Sequence, residues 1–264
     1  MERIEKLSIE IIRKYQPQAG SGSYELAFSG GKDSIVLLDL VKKSGIKFTA
    51  YYYNTTIDPV GLKDFIGKNY PCVKVVNPEK GFFSLVREKG YPSRYVRWCC
   101  EKLKEHRQEK NNIILSGVRR SESSRRAKYD YKHKINGNTL VLPLLDWTDR
   151  QIWDYIRKHK LILPKYYYPP YNFTRIGCIG CPLASTRKRI REFQLFPKYA
   201  KAYFRAGKKY WEKSEKAKQY YRDPYEYFLS YLMGYSLKEL REFRNNLFGF
   251  KPQKIIEKTF NIKL

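Results

Sequence analysis

A glycine-rich segment near the amino terminus constrains the fold more than any other feature of this sequence. Residues 24–28 have the composition of a short buried strand, and residues 35–41 form an apolar run that suits a buried helix. Between them lies the turn Ser29-Gly30-Gly31-Lys32-Asp33-Ser34. A strand, a tight turn and a helix in this order form the repeating unit of α/β folds with parallel sheets.

The rest of the chain continues this alternation and predicts the domain organisation. We expect a doubly wound, parallel, five-stranded sheet with helices on both faces, and a small helical extension at the carboxyl end. The predicted divisions are an amino-terminal helix over 1–20, an α/β domain over 21–181, and a basic, aromatic-rich helical region over 182–264. Predicted strands are 24–29, 46–53, 72–76, 112–116 and 139–142, and predicted helices between them are 33–44, 59–68, 81–89 and 97–110.

The glycine-rich turn predicts a phosphate-binding site. Gly30 and Gly31 let the backbone approach an anion closely, and the start of the next helix presents N–H groups with a favourable dipole. Ser29 and Ser34 add hydroxyl groups, and Lys32 adds a positive charge. A Walker loop is excluded by its spacing, and a plain helix cap at Asp33 leaves the other residues of the turn without a role.

Four cysteines in two pairs predict a metal–sulfur centre. Cys99 is followed directly by Cys100, and Cys178 is separated from Cys181 by two residues. Four thiolates are the ligand set of a [4Fe–4S] cluster, and the adjacent pair favours iron over a zinc site built from two spaced knuckles. Zinc remains an alternative, as does a redox-active pair formed by Cys178 and Cys181. Cys72 reads as a small apolar residue in a buried strand.

Together these motifs resemble the phosphoadenylylsulfate (PAPS) reductase family, within the adenine nucleotide alpha hydrolase-like superfamily. Residues 29–34 match the SGGxDS loop of N-type ATP pyrophosphatases, and the cysteine pairs match the cluster ligands of adenylylsulfate (APS) reductases. The resemblance covers about residues 22–200. It implies an adenine nucleotide, ATP or PAPS/APS, on the loop and a [4Fe–4S] cluster on the four cysteines.

The same resemblance implies roles for further residues. Thr56 falls where the family places adenosine contacts, and Lys104 matches a lysine beside the cluster. Arg119 and Arg120 match a Gly-x-Arg-Arg segment whose arginines meet the phosphate or sulfate end of the nucleotide. They lie in a basic segment over 118–135, which we interpret as a mobile phosphate-binding loop or a solvated basic loop.

Two departures from the reductases direct the functional prediction. Those enzymes use a cysteine near the carboxyl terminus as nucleophile, and this chain has no cysteine after Cys181. Their loop also tends to be degraded, whereas residues 29–34 are intact. The chain is therefore expected to cleave ATP between the α and β phosphates, release pyrophosphate and transfer sulfur to an acceptor. Reduction of PAPS or APS to sulfite with thioredoxin is the alternative.

Charge indicates the acceptor. The chain has 53 Lys and Arg against 26 Asp and Glu, a formal net charge of +27. A nucleotide pocket needs few of these cations, so tRNA or DNA is the expected acceptor; a solubilising surface is the other interpretation. No apolar stretch is long enough to span a membrane, and we expect a cytoplasmic protein. The oligomeric state is open, with a homodimer among the candidates, and the sulfur donor is unidentified.

The expected mechanism gives each group a role. Lys32 offsets the charge that develops on the leaving pyrophosphate, and Mg²⁺ is expected to neutralise the phosphates. Asp33 either caps the helix or holds the metal. Arg119 and Arg120 clamp the other end of the nucleotide or the acceptor, and Lys104 tunes the cluster. Aromatic residues after 196 either stack on unpaired bases or form the core of a helical pair.

Overall fold

A computed structural model describes residues 1–17, 23–104, 112–135, 137–246 and 249–264. The predicted boundary at residues 20 and 21 and the end of the predicted helix 97–110 lie outside the described residues. The described chain divides into two compact units that interleave along the sequence. The first unit contains residues 1–54, 60–77 and 107–177, and the second contains residues 55–59, 78–106 and 178–264.

The first unit is built on a six-stranded sheet. Its strand order is β3-β2-β1-β4-β6-β5, and every neighbouring pair is parallel except β5 with β6. The order reverses between β1 and β4, which is the switch point of a doubly wound fold, so the predicted α/β class is confirmed. The strands are β1 (Tyr24–Ala27), β2 (Phe48–Tyr53), β3 (Val73–Val76), β4 (Ile113–Leu115), β5 (Lys132–Ile135) and β6 (Asn138–Val141).

The sheet differs from the predicted five parallel strands by the addition of β5. This strand lies at the edge and pairs antiparallel with β6, with Lys132 opposite Val141. Exposed Lys132 and Lys134 alternate with half-buried His133 and Ile135, as edge strands allow. The basic segment over 118–135 is therefore partly regular structure.

Helices of the first unit surround this sheet. The apolar run 35–41 predicts the buried character of α2, and six of these seven residues are fully buried. Helix α7 begins at a capping box in which the Thr148 hydroxyl accepts the Gln151 N–H and the Gln151 side chain accepts the Thr148 N–H. The helices are α1 (Glu2–Lys14), α2 (Lys32–Ser44), α3 (Leu62–Asn69), α6 (Ser124–Ala127) and α7 (Asp149–Lys158), with short 3₁₀ turns at 120–122 and 165–167.

The second unit is helical, and its core is aromatic. Tyr203 is fully buried, and its ring packs 5.1 Å from Phe82 and 5.0 Å from Phe193 between ring centroids. Tyr203 is thus a core residue, as one of the two interpretations of the carboxyl-terminal aromatics predicts. The helices are α4 (Phe82–Lys89), α5 (Trp98–Leu103), α8 (Thr186–Leu195), α9 (Pro197–Lys213), α10 (Glu215–Tyr220), α11 (Pro224–Met233), α12 (Leu237–Asn246) and α13 (Pro252–Phe260).

The structure corrects the predicted position of one residue, Cys72. Cys72 does not lie in a buried strand: it is exposed and precedes β3, which begins at Val73. The preceding Pro71 disfavours an earlier start of the strand because proline has no N–H for the sheet ladder. Among the described residues, no helix is long and apolar enough to cross a membrane.

Candidate nucleotide site and metal centre

The predicted nucleotide loop lies at the switch point of the sheet, after β1 and at the start of α2. Gly30 has a φ of +71°, and a Cβ there would lie 3.0 Å from side-chain atoms of Leu62 and Ile66. Glycine thus allows both the left-handed turn and the close packing against α3. Gly31 is the N-cap residue of α2, so the loop leads directly into the helix N-terminus at this edge of the sheet.

Hydroxyl groups organise the loop. The Ser34 hydroxyl donates to the Gly31 carbonyl at 2.8 Å and accepts the Ser29 N–H at 3.2 Å. The backbone N–H of Lys32 donates to the Tyr167 hydroxyl at 2.7 Å. Backbone N–H groups in the first turn of a helix have no partner within the helix and can bind anions. The Tyr167 hydroxyl therefore occupies an acceptor position that a phosphate oxygen also fits.

The ammonium group of Lys32 is buried beside this helix end. Lys32 is 3% exposed. Its Nζ lies 3.2 Å from Asp33 Oδ2 and 3.4 Å from Asp149 Oδ1, and it donates to the Thr174 carbonyl at 3.3 Å. All three contacts are longer than a strong charge-assisted hydrogen bond. The group is therefore held in place without a tight partner of its own.

Arg119 makes tighter contacts with the same two carboxylates. Its Nε donates to Asp33 Oδ1 at 2.7 Å, and its Nη2 donates to Asp149 Oδ1 at 2.6 Å. Gly117 permits this approach because a Cβ there would lie 3.2 Å from the backbone carbonyl group of Asp33. The predicted segment 117–120 and the loop 29–34 are thus brought together, with Arg119 fixing both carboxylates.

Asp149 is the exposed member of this network. Its side chain is 67% exposed. Partial burial acts to raise the pKa of Asp149, but the charge of Lys32 and the hydrogen bond from Arg119 outweigh it and lower the pKa below its usual value. Asp149 therefore stays ionised where a nucleotide would meet the two cations.

Arg120 is directed elsewhere in the first unit. Its Nε donates to Asp146 Oδ1 at 2.6 Å, and its Nη1 donates to the carbonyl oxygens of Ala127 and Tyr129. These bonds close the turn that follows β4. The structure thus brings Arg119, but not Arg120, into contact with the residues of the loop.

Asp33 does not act as the predicted helix cap. Helix α2 has no side-chain cap, and both carboxylate oxygens of Asp33 bind cations, Oδ1 to Arg119 and Oδ2 to Lys32. The alternative role, as a metal ligand, would require Mg²⁺ to displace one of them. This arrangement does not favour Mg²⁺ at Asp33.

Thr56, the predicted adenosine contact, lies in the second unit. It has a positive φ of 61°, and its hydroxyl accepts the Phe82 N–H at 2.8 Å. This bond joins the segment 55–59 to the start of α4. The side chain of Thr56 thus has a structural partner within its own unit.

Sequence reasoning missed two residues of the nucleotide site. Asp149 contacts both cations, and Tyr167 bonds the backbone of the loop from 135 positions away. The capping box at Thr148 is a sequence signal that could have placed Asp149 at a helix N-terminus. Tyr167, in a run of aromatic residues, carries no comparable signal.

The four predicted metal ligands all belong to the second unit. Cys99 and Cys100 lie on the short helix α5, and Cys178 and Cys181 lie in the loop before α8. All four are free thiols and half-buried. The Cys178 thiol donates to the Thr55 hydroxyl at 3.6 Å. The structure therefore places the two pairs in one compact unit, although 77 residues lie between them in the chain.

Buried groups fix the backbone of the loop that carries Cys178 and Cys181. The Gly180 N–H donates to Glu192 Oε2 at 2.9 Å, and the Tyr203 hydroxyl donates to the Ile179 carbonyl at 2.6 Å. The Tyr231 hydroxyl donates to the Gly180 carbonyl. Every one of these partners is buried, so the loop is preorganised rather than shaped by a ligand alone.

Gly180 gives a test of this preorganisation. It has a φ of +71°, and a Cβ there would lie 2.5 Å from the Phe193 ring. We expect Gly180→Ala to lower the free energy of unfolding by about 2–4 kcal/mol, through backbone strain and overpacking. Gly177→Ala is the matched control, because a Cβ at Gly177 meets no atom within 4 Å. Urea denaturation of both variants is the measurement, and equal stability would contradict a fixed loop.

Neighbouring thiols shift the pKa values of Cys99 and Cys100. The hydrogen bond between the adjacent thiols raises the pKa of Cys99 and lowers the pKa of Cys100, which also accepts a hydrogen bond from Arg97. The charges of Cys178 and Cys181 add to the effect on Cys99. Burial raises the pKa of Cys178 to about 11, against the opposing charge of Lys104. Four mutually repelling thiolates are stabilised when a cation binds among them.

Two cations of the second unit suit an anionic centre here. The charge of Cys178 is the largest cause of a raised pKa at Lys104, the residue predicted to lie beside the cluster. Arg189 is 5% exposed, its Nε is buried with no hydrogen-bond partner, and it makes no ion pair with a carboxylate in the described parts of the chain. Burying an unpaired guanidinium is costly, which favours a negative group nearby.

The donor chemistry therefore fits a metal–sulfur centre, although the side chains do not form one. In the described ranges, no group of three or more His, Cys, Asp or Glu residues is arranged to hold a metal ion. Four free thiols and two nearby cations suit a [4Fe–4S] cluster, and the same donor set suits zinc.

Comparisons with known proteins agree with the motifs. The profile of the phosphoadenosine phosphosulfate reductase domain matches residues 23–184. An uncharacterized protein of Methanocaldococcus jannaschii is 32% identical over 211 residues, covering 75% of this chain and 51% of that protein. An adenosine 5'-phosphosulfate reductase of Staphylococcus epidermidis is 29% identical over 197 residues, covering 67% of this chain and 76% of that enzyme.

Structural similarity is weaker. The crystal structure of a phosphoadenylyl-sulfate reductase from Candida auris, a phosphate complex, covers 67% of this chain and 93% of that chain at 14% identity, with a TM-score of 0.49. That likeness is too low to carry an argument. This chain spans about half the length of the archaeal relative. The profile match covers more than half of the chain, and on that ground the chain belongs to the phosphoadenosine phosphosulfate reductase domain family.

Proposed function

We propose that this chain is an enzyme that binds ATP at residues 29–34, cleaves it between the α and β phosphates and transfers sulfur to a nucleic-acid acceptor. The observation that carries the proposal is the buried ammonium of Lys32 beside the N-terminus of α2, in an intact glycine loop. This combination of N–H groups, helix dipole and buried cation suits a diphosphate leaving group.

Lys32 is the group that would stabilise the leaving pyrophosphate. An acceptor oxygen forms a bond to the α phosphorus, and the bond from that phosphorus to the bridging oxygen breaks. Pyrophosphate leaves with the electron pair. In the sulfur transfer that follows, a sulfur nucleophile bonds to the acceptor and AMP leaves with the activated oxygen. The contacts of Lys32 are 3.2–3.4 Å long, so phosphate oxygens can replace them at little cost and gain a closer approach to the ammonium.

Arg119 is a positioning residue in this proposal. Its tight bonds to Asp33 and Asp149 fix both carboxylates beside the Lys32 ammonium and leave them less negative charge to offer that ammonium. Lys32 takes part of the nucleotide-clamping role predicted for Arg119, because the Nε and Nη2 groups of Arg119 are already bonded to carboxylates. Arg120 supports the turn after β4 and has no direct task at the loop.

The metal–sulfur centre is the second part of the proposal. Cys99, Cys100, Cys178 and Cys181 would hold a [4Fe–4S] cluster, with Lys104 and Arg189 offsetting its negative charge. Such a cluster, when bound, supplies a site that carries sulfur or orients a sulfur donor. The chain's own contribution is the fixed loop around Gly180, which sets the positions of two of the four thiols.

A reductase is the second candidate, and two observations favour it. The chain is 29% identical to an adenosine 5'-phosphosulfate reductase across 67% of its length. Cys72 is exposed, so burial does not exclude it as the thiol that a thiosulfonate intermediate requires. Against this candidate stands the intact loop at residues 29–34.

One pair of incubations tests the proposal against this candidate. Protein purified without oxygen is mixed with ATP and a nucleic-acid acceptor, or with PAPS or APS and thioredoxin. We expect pyrophosphate from the first mixture and no steady sulfite from the second. Sulfite production that Cys72→Ala abolishes would establish the reductase through Cys72. Sulfite production that survives Cys72→Ala would place the thiol on a partner and equally displace the transferase.

A further inference from the structure

An exposed aromatic residue lies four positions before Cys99, the first predicted metal ligand, in the second unit. Tyr95 is 95% exposed, and the next residue, Val96, is 62% exposed. Within the described chain, the ring of Tyr95 has no aromatic partner. The other described aromatic residues of this unit are buried, such as Tyr203 and Phe193, or half-buried, such as Tyr210. Tyr95 and Val96 together form an exposed apolar tip on this turn.

The tip is built by a hydrogen-bonded turn. The Ser93 hydroxyl accepts the N–H groups of Tyr95 and Val96, at 3.2 and 2.9 Å, and the Ser93 N–H donates to the Val96 carbonyl at 3.0 Å. The backbone of residues 93–96 is therefore fixed before any partner binds. A fixed backbone reduces the conformational entropy that is lost when the turn binds a partner.

Positive charge surrounds this tip. Arg94 and Arg97 flank it, and the sequence from Lys89 to Cys100 contains no acidic residue. Arg97 hydrogen-bonds Cys100. Burial is the main cause of a lowered pKa at Arg189, and the charge of Arg94 adds to it. Two like-charged guanidinium groups thus lie near each other, and Arg94 has no ion pair with any carboxylate of the described residues.

We propose that residues 93–97 bind an unpaired nucleotide of the acceptor, with its base stacked on Tyr95 and its phosphate held by Arg94. The arrangement fits this ligand because a π face receives any base, while neighbouring guanidinium groups receive the phosphate. A protein partner would be matched less well by a single ring between arginines. Arg97, at the end of this site, hydrogen-bonds Cys100. An acceptor bound at residues 93–97 would therefore be held next to the segment that carries the first cysteine pair.

This inference rests on the proposed function for the identity of the acceptor, but its test does not use ATP. Fluorescence anisotropy measures the affinity of the full chain for a short single-stranded RNA, the same DNA sequence and the matching blunt duplex. Tyr95→Ala is expected to weaken binding of at least one single strand by about 5- to 150-fold, the value of one stacked base. Tyr95→Phe, which keeps the ring, should bind within about twofold of the original chain.

A matched control and a salt series complete the design. Tyr168→Ala removes another exposed tyrosine, 50% exposed and in the first unit, and should leave the affinity unchanged. Arg94→Gln should reduce the slope of log affinity against log salt by about 0.7, the value of one phosphate contact on a single strand. Tyr95→Ala should leave that slope unchanged.

Several results would overturn the site. The first is that Tyr95→Ala binds single strands as tightly as the original chain does. The second is that Tyr95→Phe loses as much affinity as Tyr95→Ala, and the third is that Tyr95→Ala loses as much affinity for the blunt duplex as for the single strand. Failure of the proposed function is distinguishable from these, because a chain that releases no pyrophosphate can still show the Tyr95-dependent affinity. A chain that releases pyrophosphate without that affinity would refute the site alone.

Discussion

Replacing Lys32 with alanine is expected to reduce acceptor-dependent pyrophosphate release from ATP by about 100- to 1,000-fold, the usual effect of removing one preorganised charge from a transition state. The ammonium is buried, and its three contacts are loose enough for phosphate oxygens to replace them. The loss should appear mainly in kcat, because the negative charge on the pyrophosphate grows as the bond breaks.

Two further variants separate this catalytic role from a structural one. Lys32→Met keeps the aliphatic stem and removes only the charge, so it should lose as much activity as Lys32→Ala while melting closer to the original chain. Lys68→Ala, at an exposed lysine of α3, is the control and should retain full activity. A Lys32→Met variant with activity near the original would show that the ammonium does not act on the leaving group.

Replacing Cys178 with serine is expected to remove the metal–sulfur centre. Protein prepared without oxygen should contain about four irons and four sulfides per chain and show the brown colour of a [4Fe–4S] cluster. Cys178→Ser should lose most of both, because the hard hydroxyl is a poor ligand for iron in such a cluster. Iron analysis, acid-labile sulfide and the visible spectrum are the measurements.

Cys72→Ser is the matched control for this loss. Cys72 is an exposed thiol of the first unit, and its replacement should leave iron, sulfide and colour unchanged. Stoichiometric zinc without sulfide in the anaerobic preparation would refute the cluster and establish the zinc alternative. Equal loss of iron in both variants would indicate iron bound at random thiols.

The sequence predicted the fold class because its signals are local. The apolar run 35–41 and the glycine turn before it define one βα unit without reference to the rest of the chain. Strand β5 escaped prediction because Lys132 and Lys134 occupy its exposed face, and at a sheet edge that pattern resembles a basic loop. The predicted strand 72–76 begins one residue too early, at Cys72, because periodicity does not fix the ends of strands.

The candidate site was predictable only where one motif contains it. Residues 29–34 form one continuous motif and each cysteine pair lies within four residues, so their chemistry can be inferred directly from the sequence. Asp149 and Tyr167 reach the loop through tertiary contacts across more than 100 residues, which local patterns do not encode. Likewise, Arg119 and Arg120 are neighbours in sequence but bind different carboxylates, because successive side chains point in different directions.

The position of bond cleavage in ATP tests the central proposal most directly. The chain is incubated with its nucleic-acid acceptor and ATP labelled at either the α or the γ phosphorus, and the products are separated. The proposal predicts that α label appears in AMP or on the acceptor, that γ label appears in pyrophosphate, and that Lys32→Met suppresses both. Label from the γ position in free phosphate, with α label in ADP, would contradict it.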